Sequence, residues 1–423
     1  MISLYRILTF ILFPVFLIVI YLRRFINKED KTRNKEKISI KKNYYSKGKT
    51  IIWMHAASIG EVNSIISLIE EIIKKDKHIF ILLTSTTLSS SQLIKTKKLD
   101  QENFLHLFFT IDVQFLVKKF LNEWKPKLVI FVDSEIWPNY LYEISKRNIP
   151  MMLLNGRITI KTYNRWKIFP KLSKKIFELY NLCLCSSLES EKNLRSLGAK
   201  NVKFIGNLKF STRIESKAQR KDLQLLKDNC YIWTAASTHP GEEEIILKTH
   251  CILKKKDINL ITIIIPRHIS RSKEIYSLCK NFNLKAQIVD KYNDISKESE
   301  ILIINSIGEM TEYFFGCKSI FMGKSLSKKL VKVGGQNPIE PAKCGCKIYH
   351  GPYVSNFEEI YNFLNKKKIA YEVSNELDLS ENLIKDFKGT LDFNKEKISE
   401  LNEYGEKILS LTYKEIFKLK NDN

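Results

Sequence analysis

Residues 50–61 read Thr50-Ile51-Ile52-Trp53-Met54-His55-Ala56-Ala57-Ser58-Ile59-Gly60-Glu61. An apolar run of strand length gives way to small and polar residues and then to a helix-forming sequence. That order marks a strand buried on both faces and followed by a helix, the repeating unit of parallel α/β sheets. The same cadence returns at Ile79 to Leu83, Leu128 to Val132, Met151 to Leu154, Leu182 to Cys185 and Val202 to Ile205. A second series runs through Tyr231 to Ala235, Leu260 to Ile265, Ala286 to Val289, Ile301 to Ile304, Ser319 to Met322 and Lys347 to Tyr349. Two doubly wound α/β domains are expected, with the polar stretch from Lys209 to Asn229 as the hinge and its following helix. The charged tail from Asn394 to Asn423 reads as a closing helix.

The chain of 423 residues is 44% apolar and 27% charged, which provides for packed cores and excludes a disordered or polytopic protein. Its 70 Lys and Arg against 46 Asp and Glu leave a net charge of +24. The excess favours anionic partners, though a lysine-rich residue usage gives the same balance with no binding role. The lysines are spread along the chain rather than gathered with aromatics, so no nucleic-acid partner is expected. Eight cysteines include the close pairs Cys183/Cys185 and Cys344/Cys346, without Cys-x-x-Cys or histidine at finger spacing. They read as reduced thiols on strands rather than a metal site.

Ile7 to Leu22 carries no charge and is almost wholly apolar, with Pro14 inside it, and Tyr21-Leu22 runs straight into Arg23-Arg24 without a small-residue cleavage site. A membrane anchor helix over residues 1–24 is expected. Lys28, Lys31, Arg33, Lys35, Lys37, Lys41 and Lys42 follow against only Glu29, Asp30 and Glu36. Positive charge on that side places the main body in the cytoplasm, beside anionic lipids of the membrane.

In open parallel sheets, ligands bind beyond the carboxyl ends of the strands. There stand His55 to Glu61, where Glu61 is either a general base or a helix-dipole partner in a first turn. After Leu128 to Val132 come Asp133-Ser134-Glu135-Ile136-Trp137-Pro138-Asn139, two carboxylates that share acid and base work or cap the next helix. Gly206 to Phe210 brings Lys209 to the domain junction. In the second half, Ala236 to Glu243 offers hydroxyls and helix amides to an anion, or forms a capping box. Pro266-Arg267-His268 sets a guanidinium at a strand end, suited to phosphate. Gly308-Glu309-Met310 and Gly334-Gly335-Gln336-Asn337-Pro338-Ile339-Glu340-Pro341 enter helices, the second with glycines for close backbone approach and Glu340 placed for ribose hydroxyls.

The order of these segments behind an apolar N-terminus, together with the hydroxyl-rich loop Thr84 to Ser91, resembles the bacterial 3-deoxy-D-manno-octulosonic acid (Kdo) transferases over nearly the whole chain. The resemblance implies a GT-B fold of two Rossmann-like domains facing a cleft: a membrane anchor at 1–24, an acceptor domain at 25–208, a donor domain at 209–395 and a closing helix at 396–423. It implies transfer of Kdo from CMP-Kdo to a lipid A precursor, lipid IVA, in lipopolysaccharide core synthesis at the cytoplasmic face of the inner membrane, with no metal or cofactor. Glu61 falls on the family's catalytic base, and Asp133 and Lys209 on residues that stabilise the transition state. Pro266, Arg267, Gly308, Glu309, Met310, Asn337, Pro338, Ile339 and Glu340 fall on its CMP-contacting segments. Displacement of CMP with inversion suits such a set, because a base opposite the leaving phosphate activates the acceptor hydroxyl while cations and helix amino ends meet the departing anion.

This chain departs from the family pattern in places. Asp133 stands where glutamate is usual, Gln336 replaces the histidine of Gly-Gly-His-Asn-Pro, Gly323-Lys324-Ser325 replaces Gly-Gly-Ser, and the Thr-rich loop lacks Pro-Thr-Gly. Another membrane-associated GT-B glycosyltransferase, using a nucleoside diphosphate sugar in cell-envelope synthesis, would share the strand-end loops and the ribose-binding glutamate.

Overall fold

The computed structural model describes residues 2–97, 99–214, 230–256, 258–290, 295–296, 298–306, 310–315, 317–331, 333–389 and 395–422. The chain forms two compact units, Met1–Arg213 with Tyr404–Asn423, and Ile214–Glu403.

The first unit holds a seven-stranded parallel sheet in the order β3-β2-β1-β4-β5-β6-β7. Its strands are β1 (Thr50–His55), β2 (Ile79–Ser85), β3 (Phe104–Phe108), β4 (Leu128–Val132), β5 (Met151–Gly156), β6 (Leu182–Cys185) and β7 (Val202–Phe204). The strand order reverses at β1, which pairs with β2 on one side and with β4 on the other, His55 lying level with Thr84 and Phe131. The loops after β1 and β4 therefore face each other across the switch point. One face of the sheet packs Trp53, Phe80, Phe120, Trp124, Phe131 and Tyr140 into a common core. At roughly 1.5–3 kcal/mol for each large side chain taken out of water, this cluster gives the switch point a rigid floor.

The second unit repeats the plan in the order β10-β11-β9-β8-β12-β13-β14. Its strands are β8 (Tyr231–Thr238), β9 (Leu260–Pro266), β10 (Ala286–Val289), β11 (Ile301–Ile304), β12 (Ser319–Met322), β13 (Lys347–His350) and β14 (Ala370–Glu372). Here the reversal falls at β8, between β9 and β12.

Twelve of these fourteen strands coincide with the apolar runs of the sequence. The other two, β3 and β14, lie at sheet edges. His106 interrupts the apolar run of β3, and β14 has only three residues.

Residues 209–213 belong with the first unit rather than opening the second. Asn155 Oδ1 accepts the Leu208 amide at 2.9 Å and seats this turn on the first sheet. Most of the expected hinge, 215–229, lies outside the described residues. The C-terminal helix Lys395–Asn421 returns its distal part to the first unit. There Tyr404 packs edge-on against Phe210 at 5.3 Å, and Lys203 pairs with Glu415 at 2.8 Å. Gly405 is required at this crossing, because a Cβ would stand 2.1 Å from the Phe210 carbonyl oxygen.

In place of the one anchor helix expected, the N-terminus forms two helices, Ile2–Ile11 and Phe13–Phe25, bent by 53°. Pro14 accounts for the break, since it lacks an amide hydrogen and its ring clashes with the carbonyl four residues earlier. No single helix among the described residues is long and apolar enough to cross a membrane. The first helix is bonded to the sheet unit: the Tyr5 hydroxyl donates to Asp112 at 2.8 Å and Arg6 pairs with Glu143 at 3.0 Å. Leu4, Ile7, Leu8, Phe10, Ile11, Ile18, Leu22 and Phe25 remain exposed. The basic collar is partly neutralised within the protein, with Arg23 and Lys37 on Glu29 and Arg33 on Glu36. Arg24, Lys28, Lys31, Lys35, Lys41 and Lys42 face solvent.

Candidate active site

The first cluster stands at the carboxyl end of β1. Ser58 caps the helix Ile59–Lys75 and its Oγ accepts the Glu61 amide at 3.4 Å. The Glu61 carboxylate turns back to accept the Ala57 amide at 2.8 Å and the Ser58 hydroxyl at 2.7 Å. Glu61 is thus half of a capping box, the arrangement its sequence position suggests, and it also sits among charges. Burial pushes its carboxyl up to about 7 from an ordinary 4.5, against the pull of the Ser58 hydroxyl and the Ala57 amide, and the charges of Glu135 and Asp133 add to the rise. A carboxyl tuned to this range exchanges protons near neutral pH.

Asp133 leaves β4 with a left-handed backbone, φ 66°. Its amide donates to the Leu154 carbonyl at 2.9 Å, and its own carbonyl accepts from the Arg157 amide at 3.1 Å. The tight turn keeps the carboxylate at the sheet end, 4.0 Å from Lys209 Nζ. Burial raises the Asp133 carboxyl, Lys209 and Arg157 oppose the rise, and Glu135 adds to it. Lys209 is held by the turn Leu208–Ser211, which Asn207 caps by accepting the Lys209 amide at 3.0 Å. Glu61, Asp133 and Lys209, from three separate segments, therefore share one site in the first unit.

Glu135 and Arg157 complete this electrostatic group. Arg157 follows Asn155-Gly156 directly after an apolar strand, the same strand-end position that marks Glu61 and Asp133, and that position is the signal by which it could have been found.

In the second unit the strand-end loops are linked in series. The Arg267 amide donates to the Thr238 carbonyl at 3.1 Å, and Ser237, with φ 57°, has its hydroxyl 4.0 Å from Met310 Sδ. Pro266 is buried and Arg267 is exposed at the end of β9. Gly308 and Glu309 lie outside the described residues. The short helix Ile339–Lys343 carries Ile339 and Glu340, with Pro338 at its cap and Asn337 Oδ1 accepting the Ile339 amide at 3.2 Å. Gly334 is fixed by close packing, since a Cβ there would meet the Tyr353 carbonyl at 2.0 Å.

The loop Ala236 to Glu243 takes the capping reading and supplies its own anion. Glu242 is fully buried at the start of the helix Glu242–Lys254. Its carboxylate accepts the amides of His239 at 2.9 Å, Lys324 at 2.7 Å, Ser325 at 2.7 Å and Leu326 at 3.0 Å. A side chain of the protein itself thereby gathers the loop amides at the switch point of the second sheet. Thr238 Oγ1, buried beside it, has no hydrogen-bond partner among the described residues.

A family model for 3-deoxy-D-manno-octulosonic-acid transferase matches residues 31–212. A 3-deoxy-D-manno-octulosonic acid transferase from Rickettsia bellii is 32% identical over 375 residues, 88% of this chain and 88% of the relative. The chain belongs to the Kdo transferase family. The enzyme of the same name from Haemophilus influenzae is 31% identical over 341 residues, 79% of this chain and 78% of that protein. Among solved structures, UDP-GlcNAc 2-epimerase from Neisseria meningitidis matches with a TM-score of 0.57 at 12% identity, covering 88% of this chain and 100% of the epimerase. That likeness concerns the fold alone, two Rossmann-like units of the GT-B class. As a Kdo transferase family member, the chain is a glycosyltransferase.

Proposed function

We propose that this chain transfers Kdo from CMP-Kdo to a lipid A precursor, lipid IVA, in lipopolysaccharide core synthesis, by inverting displacement with Glu61 as general base. The observation that carries the reading is the Glu61 carboxyl, pushed up to about 7 beside Asp133 and Lys209 at the switch point of the first sheet. Ionised, it takes the proton of the attacking acceptor hydroxyl; Lys209 and Arg157 offer positive charge beside the reacting centre. Asp133 orients Lys209 and tempers its charge. Pro266, Arg267, Met310 and Asn337 to Glu340 in the second unit, with Gly308 and Glu309, form the donor side, where the exposed Arg267 guanidinium suits the CMP phosphate.

The bent N-terminal helix pair, with its exposed apolar side chains and the solvent-facing cations that follow, seats the enzyme on the cytoplasmic face of the inner membrane. Full-length protein incubated with CMP-Kdo generated in situ and a tetra-acylated lipid A precursor should yield product heavier by one Kdo residue or by equal further increments. Transfer from nucleoside diphosphate sugars in place of CMP-Kdo would overturn the donor assignment.

A further inference from the structure

Among the collar cations, Lys37 is turned inward, with 7% of its surface exposed. A lysine is rarely buried without a partner. This one has two: its Nζ donates to Glu29 Oε2 at 2.6 Å and to the Thr86 carbonyl at 3.2 Å. Glu29 is buried as well, and its other oxygen accepts Arg23 Nε at 2.7 Å. The turn Asn34–Lys37 that carries the lysine is fastened to the end of β3. There the Lys37 carbonyl accepts the Ile111 amide at 2.9 Å, the Glu36 carboxylate accepts the Phe108 amide at 2.9 Å, and Arg33 donates to the His106 carbonyl at 2.7 Å.

Beyond Thr86 the hydrogen bonds continue to Glu61. Thr86 stands directly after β2, and its amide donates to the Ala57 carbonyl at 3.2 Å. The Ala57 amide in turn donates to Glu61 Oε2 at 2.8 Å. Thr86 is thus held from both sides, its amide on the loop after β1 and its carbonyl on Lys37. Slack at Thr86 is therefore passed to Ala57, and a displacement of about 1 Å at a reacting group can cost on the order of 10²-fold in rate.

We propose that Lys37 is a positioning residue: its ammonium, countered by Glu29, holds Thr86 against Ala57 and so keeps the Glu61 carboxylate in place for proton transfer. The inference rests on the reading of Glu61 as base, and Lys37 acts on that base through the two loops rather than on the substrate. It also separates Lys37 from the collar cations that face solvent, Arg24, Lys28, Lys31, Lys35, Lys41 and Lys42.

Lys37→Met removes the ammonium but leaves Glu29 buried with one partner fewer, which weakens the fold on its own account. Lys37→Met/Glu29→Gln removes both charges, so what it lacks is the hold on Thr86. In this double variant kcat should fall about tenfold or more, with the KM for CMP-Kdo nearly unchanged. The acid limb of kcat/KM should also move to higher pH. Burial raises the Glu61 carboxyl to about 7, the charges of Glu135 and Asp133 add to the rise, and the Ser58 hydroxyl and the Ala57 amide oppose it, while Lys209 and Arg157 lie beside Asp133. Loosening the Ala57 amide removes part of that opposition. Lys37→Arg, which keeps a donor for Glu29 and for Thr86, should retain the wild-type limb and most of the turnover. Full turnover in the double variant, or a loss of turnover with the limb unmoved, would overturn the inference.

Amide hydrogen exchange on the full-length chain gives a readout that needs no turnover. The Ala57 and Thr86 amides should exchange about tenfold faster or more in the double variant, and at the wild-type rate in Lys37→Arg. Unchanged exchange in the double variant would refute the hold on the loop. Should Glu61→Gln retain activity, the base assignment fails while the exchange rates still decide what Lys37 holds, so the two failures are distinguishable.

Discussion

Glu61→Gln should produce an enzyme that is inactive and, above neutral pH, more stable than the wild type. Moving the Glu61 carboxyl from an ordinary 4.5 to about 7 in the folded state makes ionising it there cost roughly 3 kcal/mol, at about 1.4 kcal/mol per tenfold change. In the unfolded chain the same group ionises near its ordinary value. The folded state therefore suffers no penalty below about pH 4.5, an increasing one as pH rises toward 7, and the full one above it. Glutamine never ionises, so the variant should gain up to roughly 3 kcal/mol at pH 8 and almost nothing near pH 4.5. Denaturant melts of both proteins across pH 4.5–8.5 would measure the gap, and mass spectrometry of the lipid product would measure turnover. The wild-type kcat/KM should fall about tenfold per unit below pH 7 as the ionised fraction declines. A stability gap independent of pH would refute the buried-carboxyl argument, and retained turnover in Glu61→Gln would refute the catalytic one.

Asp133→Asn removes a charge that raises Glu61, so the acid limb of the wild-type profile should move to lower pH; a limb that stays put would contradict the shared site. Lys209→Ala should lower kcat by about 10- to 100-fold with a smaller effect on donor KM, as expected of a cation acting on developing charge, in steady-state kinetics with varied CMP-Kdo. Glu242→Ala leaves four backbone amides without their carboxylate partner, and guanidinium melts should show the second unit weakened by about 3–5 kcal/mol, with Glu242→Gln intermediate. Replacing Ile7, Ile11 and Ile18 together by Asp should leave the circular dichroism unchanged, since all three are exposed, and should abolish flotation with anionic vesicles.

The two-sheet plan was legible because parallel strands buried on both faces leave long apolar runs, as at Ile79–Ser85 and Leu260–Pro266. A short or interrupted strand leaves a weaker trace, which is why Phe104–Phe108, broken by His106, and the three-residue Ala370–Glu372 do not stand out in the sequence. The loops carrying Glu61, Asp133 and Lys209 were found from their places after strands and from the family pattern. Their assembly into one site depends on strand order, which apolar runs do not encode. The task of Glu242 was hidden for a different reason: a carboxylate in a first helical turn looks alike whether it complements a dipole or gathers amides from a loop some eighty positions away. The break in the N-terminal helix had a visible cause in Pro14, but the docking of Tyr5 and Arg6 required the positions of Asp112 and Glu143.

Under the proposed membrane seating and lipid acceptor, that docking would determine how the protein meets a substrate confined to a bilayer. A body hung from a flexible tether samples every orientation above the surface, and most encounters present the wrong side. Here the first helix is bolted to the first unit at Tyr5 and Arg6, so seating its apolar side in lipid, as proposed, would also set the tilt and height of Glu61. Rotational and translational freedom would then be given up once, on arrival at the membrane, and each later acceptor diffusing in the same plane would be met by a site already aligned.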